Sequence, residues 1–174
     1  MNKELLEQFE RAIRKRNPAL ADSLQPGLPE ATIREMLQDA DVRGHIDAIL
    51  TFFAWKNGTA LDAEVTLGEA SPFPESIYCF ADLNTMIDHF IGFHEGFVYH
   101  PQFDEVDGRY FPLFWDNSTG YLAIDLRSSK QRVVLLEPES EDLAGDAYPS
   151  FEEFLRDAIR ANEEDDNLVC FQIR

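Results

Sequence analysis

The stretch from Arg109 to Glu137, RYFPLFWDNSTGYLAIDLRSSKQRVVLLE, predicts three short antiparallel strands joined by tight turns. Residues 111–115 and 121–126 are rich in aromatic and branched side chains, which favour strands. The turn formers Asp-Asn-Ser-Thr-Gly at 116–120 separate these two runs. A second polar turn at 127–131 leads into another apolar run, so the stretch predicts a three-stranded meander. No catalytic motif lies within it.

Five other segments carry apolar residues at helical spacing. The predicted helices cover about 3–16, 29–40 and 42–55, a segment that begins after Asp82 and ends within 92–96, and a last segment that begins after Ser150. Ser150 with Glu153 forms a capping box, and Asn57-Gly58 supplies a left-handed residue after the third helix. Short strands are expected at 60–67, 76–80 and 168–173, an irregular stretch at 17–27, and a charged connection at 138–149.

The third and fourth predicted helices each have one apolar inner face. The predicted inner face of the third helix is Ile46, Ile49, Leu50 and Phe53, and that of the fourth is Leu83, Met86, Ile87, Phe90 and Ile91. Helices before and after a meander, without strand-helix alternation, predict an α+β fold with helices on one face of a mainly antiparallel sheet. The 174 residues, 44% of them hydrophobic, fit one domain that spans 1–174.

The formal net charge of -18 restricts the partners of the chain. Between Glu137 and Asp166, twelve acidic residues face only two arginines. Such a field repels phosphate backbones, which argues against nucleic-acid binding, and attracts basic proteins. A role in solubility alone is the alternative. The predicted partner-binding residues are Asp104, Glu105, Asp107, Asp116, Glu137, Glu139, Glu141 and Asp142.

Side chains that suggest chemistry do not form a catalytic or metal-binding pattern. His94 follows His89 by five residues, which places it roughly 140° away on a helix, and His100 is farther along the chain. Asp116 and Asp125 flank a hairpin, and paired carboxylates serve glycoside hydrolysis, but Asp116 begins a turn where Asp is favoured for structural reasons. We therefore predict a protein without catalytic residues, metal or cofactor.

The tryptophans and cysteines are assigned to the core in preference to function. Trp55 and Trp115 each sit beside turn residues, where a Trp seals the edge of a core, although partner anchors are the alternative. Cys79 and Cys170 lie in apolar runs and are expected to be free thiols. With no signal peptide or long apolar run, the expectation is a cytoplasmic protein without membrane contact, monomeric or weakly dimeric.

Three pieces of sequence, read in order, resemble the SUKH superfamily, the Smi/Knr-like domain. They are Leu28-Pro29 before a helical region that ends in Trp55-Lys56-Asn57-Gly58, then Tyr110-Phe111-Pro112-Leu113 with Gly120-Tyr121-Leu122-Ala123-Ile124-Asp125-Leu126, and finally Ser150-Phe151-Glu152-Glu153-Phe154-Leu155. The resemblance covers nearly the whole chain. It implies the same α+β arrangement and a structural role for Asp125.

The resemblance also implies a function. Bacterial SUKH proteins are cytoplasmic immunity proteins that bind and neutralise a cognate toxin, frequently a nuclease. A nuclease holds phosphates in a basic cleft, which an acidic domain can occupy without chemistry of its own. An interaction module in signalling or cell-wall regulation, as in fungal members, is the alternative. A small-molecule binder using a cleft between helices and sheet is a third possibility.

Overall fold

The computed structural model describes residues 3–60, 71–74, 78–97, 108–116, 120–137 and 143–172. Its helices are α1 (Lys3–Arg16), α2 (Pro18–Ser23), α3 (Glu30–Asp39), α4 (Asp47–Trp55), α5 (Leu83–Phe97), α6 (Phe151–Glu164) and α7 (Val169–Gln172). Its strands are β1 (Leu24–Pro26), β2 (Lys56–Thr59), β3 (Tyr110–Trp115), β4 (Tyr121–Asp125), β5 (Val133–Leu136) and β6 (Ala144–Tyr148). The predicted α+β class is confirmed.

Strands β3 to β6 form one antiparallel sheet in the order β3-β4-β5-β6. The predicted meander is therefore confirmed as its first three strands. The fourth strand, β6, lies within the charged connection predicted at 138–149, so that prediction is wrong for Ala144–Tyr148, while residues 138–142 lie outside the described residues. Its sequence, Ala-Gly-Asp-Ala-Tyr, has no β-branched residue, and its pairing with β5 rather than its own propensity makes it a strand.

Three helix starts or spans predicted from local signals are confirmed. Helix α1 runs from Lys3 to Arg16 as expected. The Ser150 hydroxyl accepts a hydrogen bond from the Glu153 N–H at 3.2 Å and begins α6. Asp82 accepts hydrogen bonds from the backbone and hydroxyl of Thr85, at 3.2 and 2.9 Å, and begins α5.

The stretch predicted to be irregular, 17–27, contains regular structure. Asn17 caps α2 by accepting a hydrogen bond from the Leu20 N–H at 3.1 Å. The residues that follow form β1, which pairs with β2 in a two-stranded antiparallel sheet. The paired residues of β1 and β2 lie at least thirty positions apart in sequence, so no local pattern indicates this pairing.

Gly58 has a structural role other than the predicted one. It lies in β2 with φ +82°, while Lys56, the residue directly after α4, is extended. A Cβ at Gly58 would lie 2.5 Å from the Asp82 backbone nitrogen. The close approach of β2 to the start of α5 therefore requires glycine.

Three further expectations are corrected. Helix α4 begins at Asp47 rather than near residue 42. Ile91, assigned to the buried stripe of α5, is 57% exposed. The C-terminal segment predicted as a strand forms the short helix α7. Of the strands predicted at 60–67 and 76–80, residues 61–67, 76 and 77 lie outside the described residues, and Cys79 forms a single bridge to Trp115.

The main core lies between the helices and one face of the four-stranded sheet. Leu122 and Ile124 of β4 point into it, and Phe52 of α4 occupies its aromatic centre. The alternate residue Ala123 packs in a smaller cluster on the other face, together with Phe93 of α5. Strand β4 is buried on both faces, which explains why it reads as a continuous apolar run.

Trp55 seals an edge of this core, as predicted. Its ring lies 5.9 Å from the ring of Phe9, 5.8 Å from Phe52 and 6.3 Å from Phe80, measured between centroids. Cys79 and Cys170 are both free thiols.

Candidate partner-binding surface

The antiparallel order places the β3–β4 turn and the β5–β6 connection at the same end of the sheet. One row of register partners marks this end: Trp115, Tyr121, Leu136 and Ala144. Asp116 directly follows Trp115, and Glu137 directly follows Leu136. Two of the predicted partner-binding carboxylates therefore lie at one end of the sheet. We call Asp116, Glu137 and the adjoining Trp115 the acidic end.

The other predicted partner-binding residues cannot be placed in the same way. Asp104, Glu105, Asp107, Glu139, Glu141 and Asp142 lie outside the described residues. Glu139, Glu141 and Asp142 belong by sequence to the chain segment that joins β5 to β6, and this segment starts at Glu137.

The turn at Asp116 is closed by a pair of reciprocal hydrogen bonds. The Asp116 carboxylate accepts from the Gly120 N–H at 3.0 Å, and the Asp116 N–H donates to the Gly120 carbonyl at 3.1 Å. A Cβ at Gly120 would lie 2.5 Å from Asp116 Oδ2, so a side chain at this position would displace the Asp116 carboxylate. The predicted structural role of Asp116 in the turn is confirmed, and its half-buried carboxylate has a defined position.

A half-buried aromatic group adjoins Asp116. The Trp115 ring lies 4.5 Å from the His89 imidazole of α5, and the Tyr121 hydroxyl is 3.1 Å from His89 Nδ1. Trp115 packs against both hydrophobic clusters, while part of its surface stays accessible. The structure thus supports both interpretations of Trp115: it seals the core edge, and it presents an aromatic surface beside a carboxylate.

Burial determines the protonation states of His89 and Tyr121 at neutral pH. It lowers the pKa of His89, with Asp88 acting in the opposite direction. Burial, reinforced by the Asp116 carboxylate, raises the pKa of Tyr121 to about 12. His89 is therefore neutral at neutral pH and does not offset the negative charge of Asp116 and Glu137. Sequence reasoning missed this His89–Tyr121 contact because the two residues lie 32 positions apart.

Protonation of His89 is expected to destabilise the fold. The pKa in the folded state is lower than the value of about 6.5 in an unfolded chain. The stabilisation is thus complete above about pH 6.5 and is lost as pH falls through the folded-state pKa. The pH dependence of urea midpoints for the wild type and His89→Gln measures this. The wild type should lose its advantage over His89→Gln as pH falls below about 6.5, and parallel curves for the two proteins would show that His89 does not titrate with a lowered pKa.

Asp125 lies at the opposite end of β4 and is structural, as the resemblance implied. Its carboxylate, 2% exposed, accepts hydrogen bonds from Arg109 at 3.1 and 3.3 Å, Arg132 at 2.8 Å and the Arg127 N–H at 3.0 Å. The length of β4 separates Asp125 from Asp116 by more than about 13 Å. Glycosidase carboxylates stand at most about 9.5 Å apart, so these two do not form such a pair.

An open groove of about 660 Å³ lies beside the β4–β5 turn, at the end of the sheet away from Asp116. Glu30, Asp47 and Glu152 line it, and each lies in the first turn of a helix, where the helix dipole favours a carboxylate. Glu30 also pairs with Arg34 at 2.7 Å. The position of each carboxylate in the first turn of a helix is a local structural explanation for these charges.

The described ranges contain neither a metal site nor a membrane span. No group of three His, Cys, Asp or Glu side chains there is placed to hold a metal ion. His100 and the side chain of His94 lie outside those ranges. No described helix combines the length and apolar character needed to span a bilayer.

Neither a comparison with protein-family models nor a search of curated proteins finds a match for this chain. The resemblance to the SUKH superfamily therefore stays a prediction from sequence.

Proposed function

We propose that this protein is a non-enzymatic, SUKH-like immunity protein that binds and neutralises a cognate protein toxin, a basic nuclease. The observation that carries the proposal is the position of Asp116 and Glu137 at one end of the sheet, beside half-buried Trp115. Protein interfaces commonly combine an aromatic anchor with a polar rim, and Trp is enriched among the residues that contribute most to binding.

Long-range charge supports the same partner. Helix α6 and the turn after it expose six carboxylates: Glu152, Glu153, Glu163, Glu164, Asp165 and Asp166. Arg156 and Arg160 pair with some of them, at 2.6 Å to Glu152 and 3.1 Å to both Glu164 and Asp166. The remaining excess adds to the net charge of -18 and attracts a basic protein from a distance.

An interaction module in signalling or cell-wall regulation is the alternative, and it can use the same surface. The two proposals differ in the partner. A toxin gene immediately upstream of the gene for this chain favours immunity, and its absence favours a housekeeping role. Co-expression tests the proposal directly: this chain should restore growth to cells that produce the nuclease domain of that toxin. A failure to restore growth, with the chain folded and abundant, contradicts the proposal.

The rate of association with this toxin domain should depend steeply on salt and on Glu139, Glu141 and Asp142. We expect Glu139→Lys, Glu141→Lys and Asp142→Lys together to slow association by about tenfold at low ionic strength. The reason is that steering depends most on charges close to the contact, because the field of a charge is screened beyond about 8 Å at physiological salt. Stopped-flow kinetics across a salt series measures both effects.

A matched control separates local charge from net charge. Helix α3 exposes three carboxylates, Glu30, Glu35 and Asp39, whose replacement by lysine makes the same total change in charge. This triple variant should slow association less, and its melting curve should stay close to the wild type because exposed charges contribute little to stability. A melting curve of the first variant checks that its fold is intact. If the association rate changes neither with salt nor with the substitutions, the acidic residues only maintain solubility.

A further inference from the structure

Strand β6 forms one edge of the four-stranded sheet. Among the described residues it pairs with β5 alone. The other edge strand, β3, is partly covered, since Cys79 and Trp115 exchange main-chain hydrogen bonds at 2.6 and 3.1 Å. An uncovered edge presents N–H and C=O groups that another strand can pair with.

The phase of the ladder identifies the groups that point outward from β6. The Glu137 N–H donates to the Leu143 carbonyl at 3.0 Å, next to the register pair Leu136 and Ala144. In an antiparallel ladder, hydrogen-bonded and non-hydrogen-bonded pairs alternate. Gly145 therefore bonds to β5, whereas the main-chain groups of Ala144 and Asp146 point away from it. Among the described residues, no main-chain partner outside the sheet contacts Ala144 or Asp146.

The outer edge of β6 is also sterically open. Ala144 and Gly145 carry little or no side chain, and a Cβ at Gly145 would meet nothing closer than 3.9 Å. Asp146 has a side chain that is 76% exposed. A bulge follows, because Val134 pairs with Asp146 and Val133 with Tyr148. The edge that a further strand can use is therefore confined to Ala144–Asp146.

Charge selects the occupant of this edge. A second copy would bring two Asp146 carboxylates into one three-residue ladder, between chains that each carry -18. A basic strand meets no such repulsion and gains from Asp146, whose partner within the chain is Arg132 at 2.9 Å. We propose that a short basic strand of the toxin pairs with the outer edge of β6 and extends the sheet. This inference rests on the proposed function and assigns its main-chain contacts.

Hydrogen exchange measured by NMR tests the pairing at single amides. The probe is the nuclease domain of the toxin encoded immediately upstream, added to labelled full-length protein. The amides of Ala144 and Asp146 should exchange at least about tenfold more slowly in the complex. Ala144→Pro removes an outward donor and no bond to β5, so it should weaken binding by about tenfold. Ala144→Val keeps the donor and should bind as the wild type does.

The outcomes separate this inference from the proposed function. A toxin domain that binds without slowing exchange at Ala144 and Asp146, and equally well to Ala144→Pro, overturns the pairing and leaves the immunity role intact. If these amides already exchange slowly without toxin, and more slowly at higher protein concentration, a second copy of this chain occupies the edge. That result overturns the pairing with a toxin strand. A toxin domain that does not bind at all overturns both.

Discussion

The Phe52→Ala variant is expected to lose about 4 kcal/mol of the free energy of unfolding. Phe52 is fully buried, and its ring centroid lies 4.6 Å from Phe80, 5.4 Å from Phe114 and 5.7 Å from Phe151. These rings belong to different parts of the chain, so they cannot all move inward to fill the cavity. The lost contacts and the remaining cavity both contribute to the cost.

Urea denaturation followed by tryptophan fluorescence measures the change for Phe52→Ala. The control is Ile91→Ala, because Ile91 is 57% exposed on α5 and should change stability by less than about 0.5 kcal/mol. A loss for Phe52→Ala no larger than that of the control would show that Phe52 is not at the centre of the core.

The Asp125→Ala variant should lose about 3 kcal/mol. Removal of the Asp125 side chain leaves Arg109 and Arg132 without their shared carboxylate, and both arginine side chains are partly buried, at 23% and 34% exposure. The backbone N–H of Arg127 also loses its acceptor. The matched control is Asp146→Ala, which removes a 76% exposed partner of Arg132 and should cost less than about 1 kcal/mol.

The pH dependence of Asp125→Ala gives a second test. Burial disfavours the ionised carboxylate, but hydrogen bonds from Arg109, Arg132 and the Arg127 backbone outweigh it, so the pKa of Asp125 lies below its ordinary value. The stabilisation is therefore present above the unfolded pKa of about 3.9 and is lost as pH falls through the folded-state pKa. The stability difference between wild type and variant should shrink in acid. A constant difference would mean that the ionised carboxylate contributes nothing.

The elements predicted correctly are those with short-range signals. The Ser150 cap, the Asp82 cap and the turn closed by Asp116 and Gly120 each depend on groups at most four residues apart. Strand β6 has no comparable signal in its own sequence. Phe52 was left out of the predicted inner face of α4 because the helix is buried on a wider arc than one stripe, with Ala48, Ile49, Leu50, Phe52 and Phe53 all buried.

The sequence indicated the kind of residues in the candidate site, but it did not indicate where the fold would place them. Composition alone indicated carboxylates and a basic partner. The fold brought Asp116 and Glu137 to one end of the sheet, although they lie 21 residues apart in the chain. It also placed His89 against Trp115, which required α5 to pack beside β3.

The sequence by itself determined the α+β class, the β3–β5 meander, the span of α1 and the starts of α5 and α6, because hydrophobic period, caps and turn residues act over a few positions. Only the tertiary structure decided the pairing of β1 with β2, the addition of β6 and the burial of Asp125 between two arginines. These features depend on backbone and side-chain groups that are distant in sequence, and their free energy arises when the packed core brings those groups together.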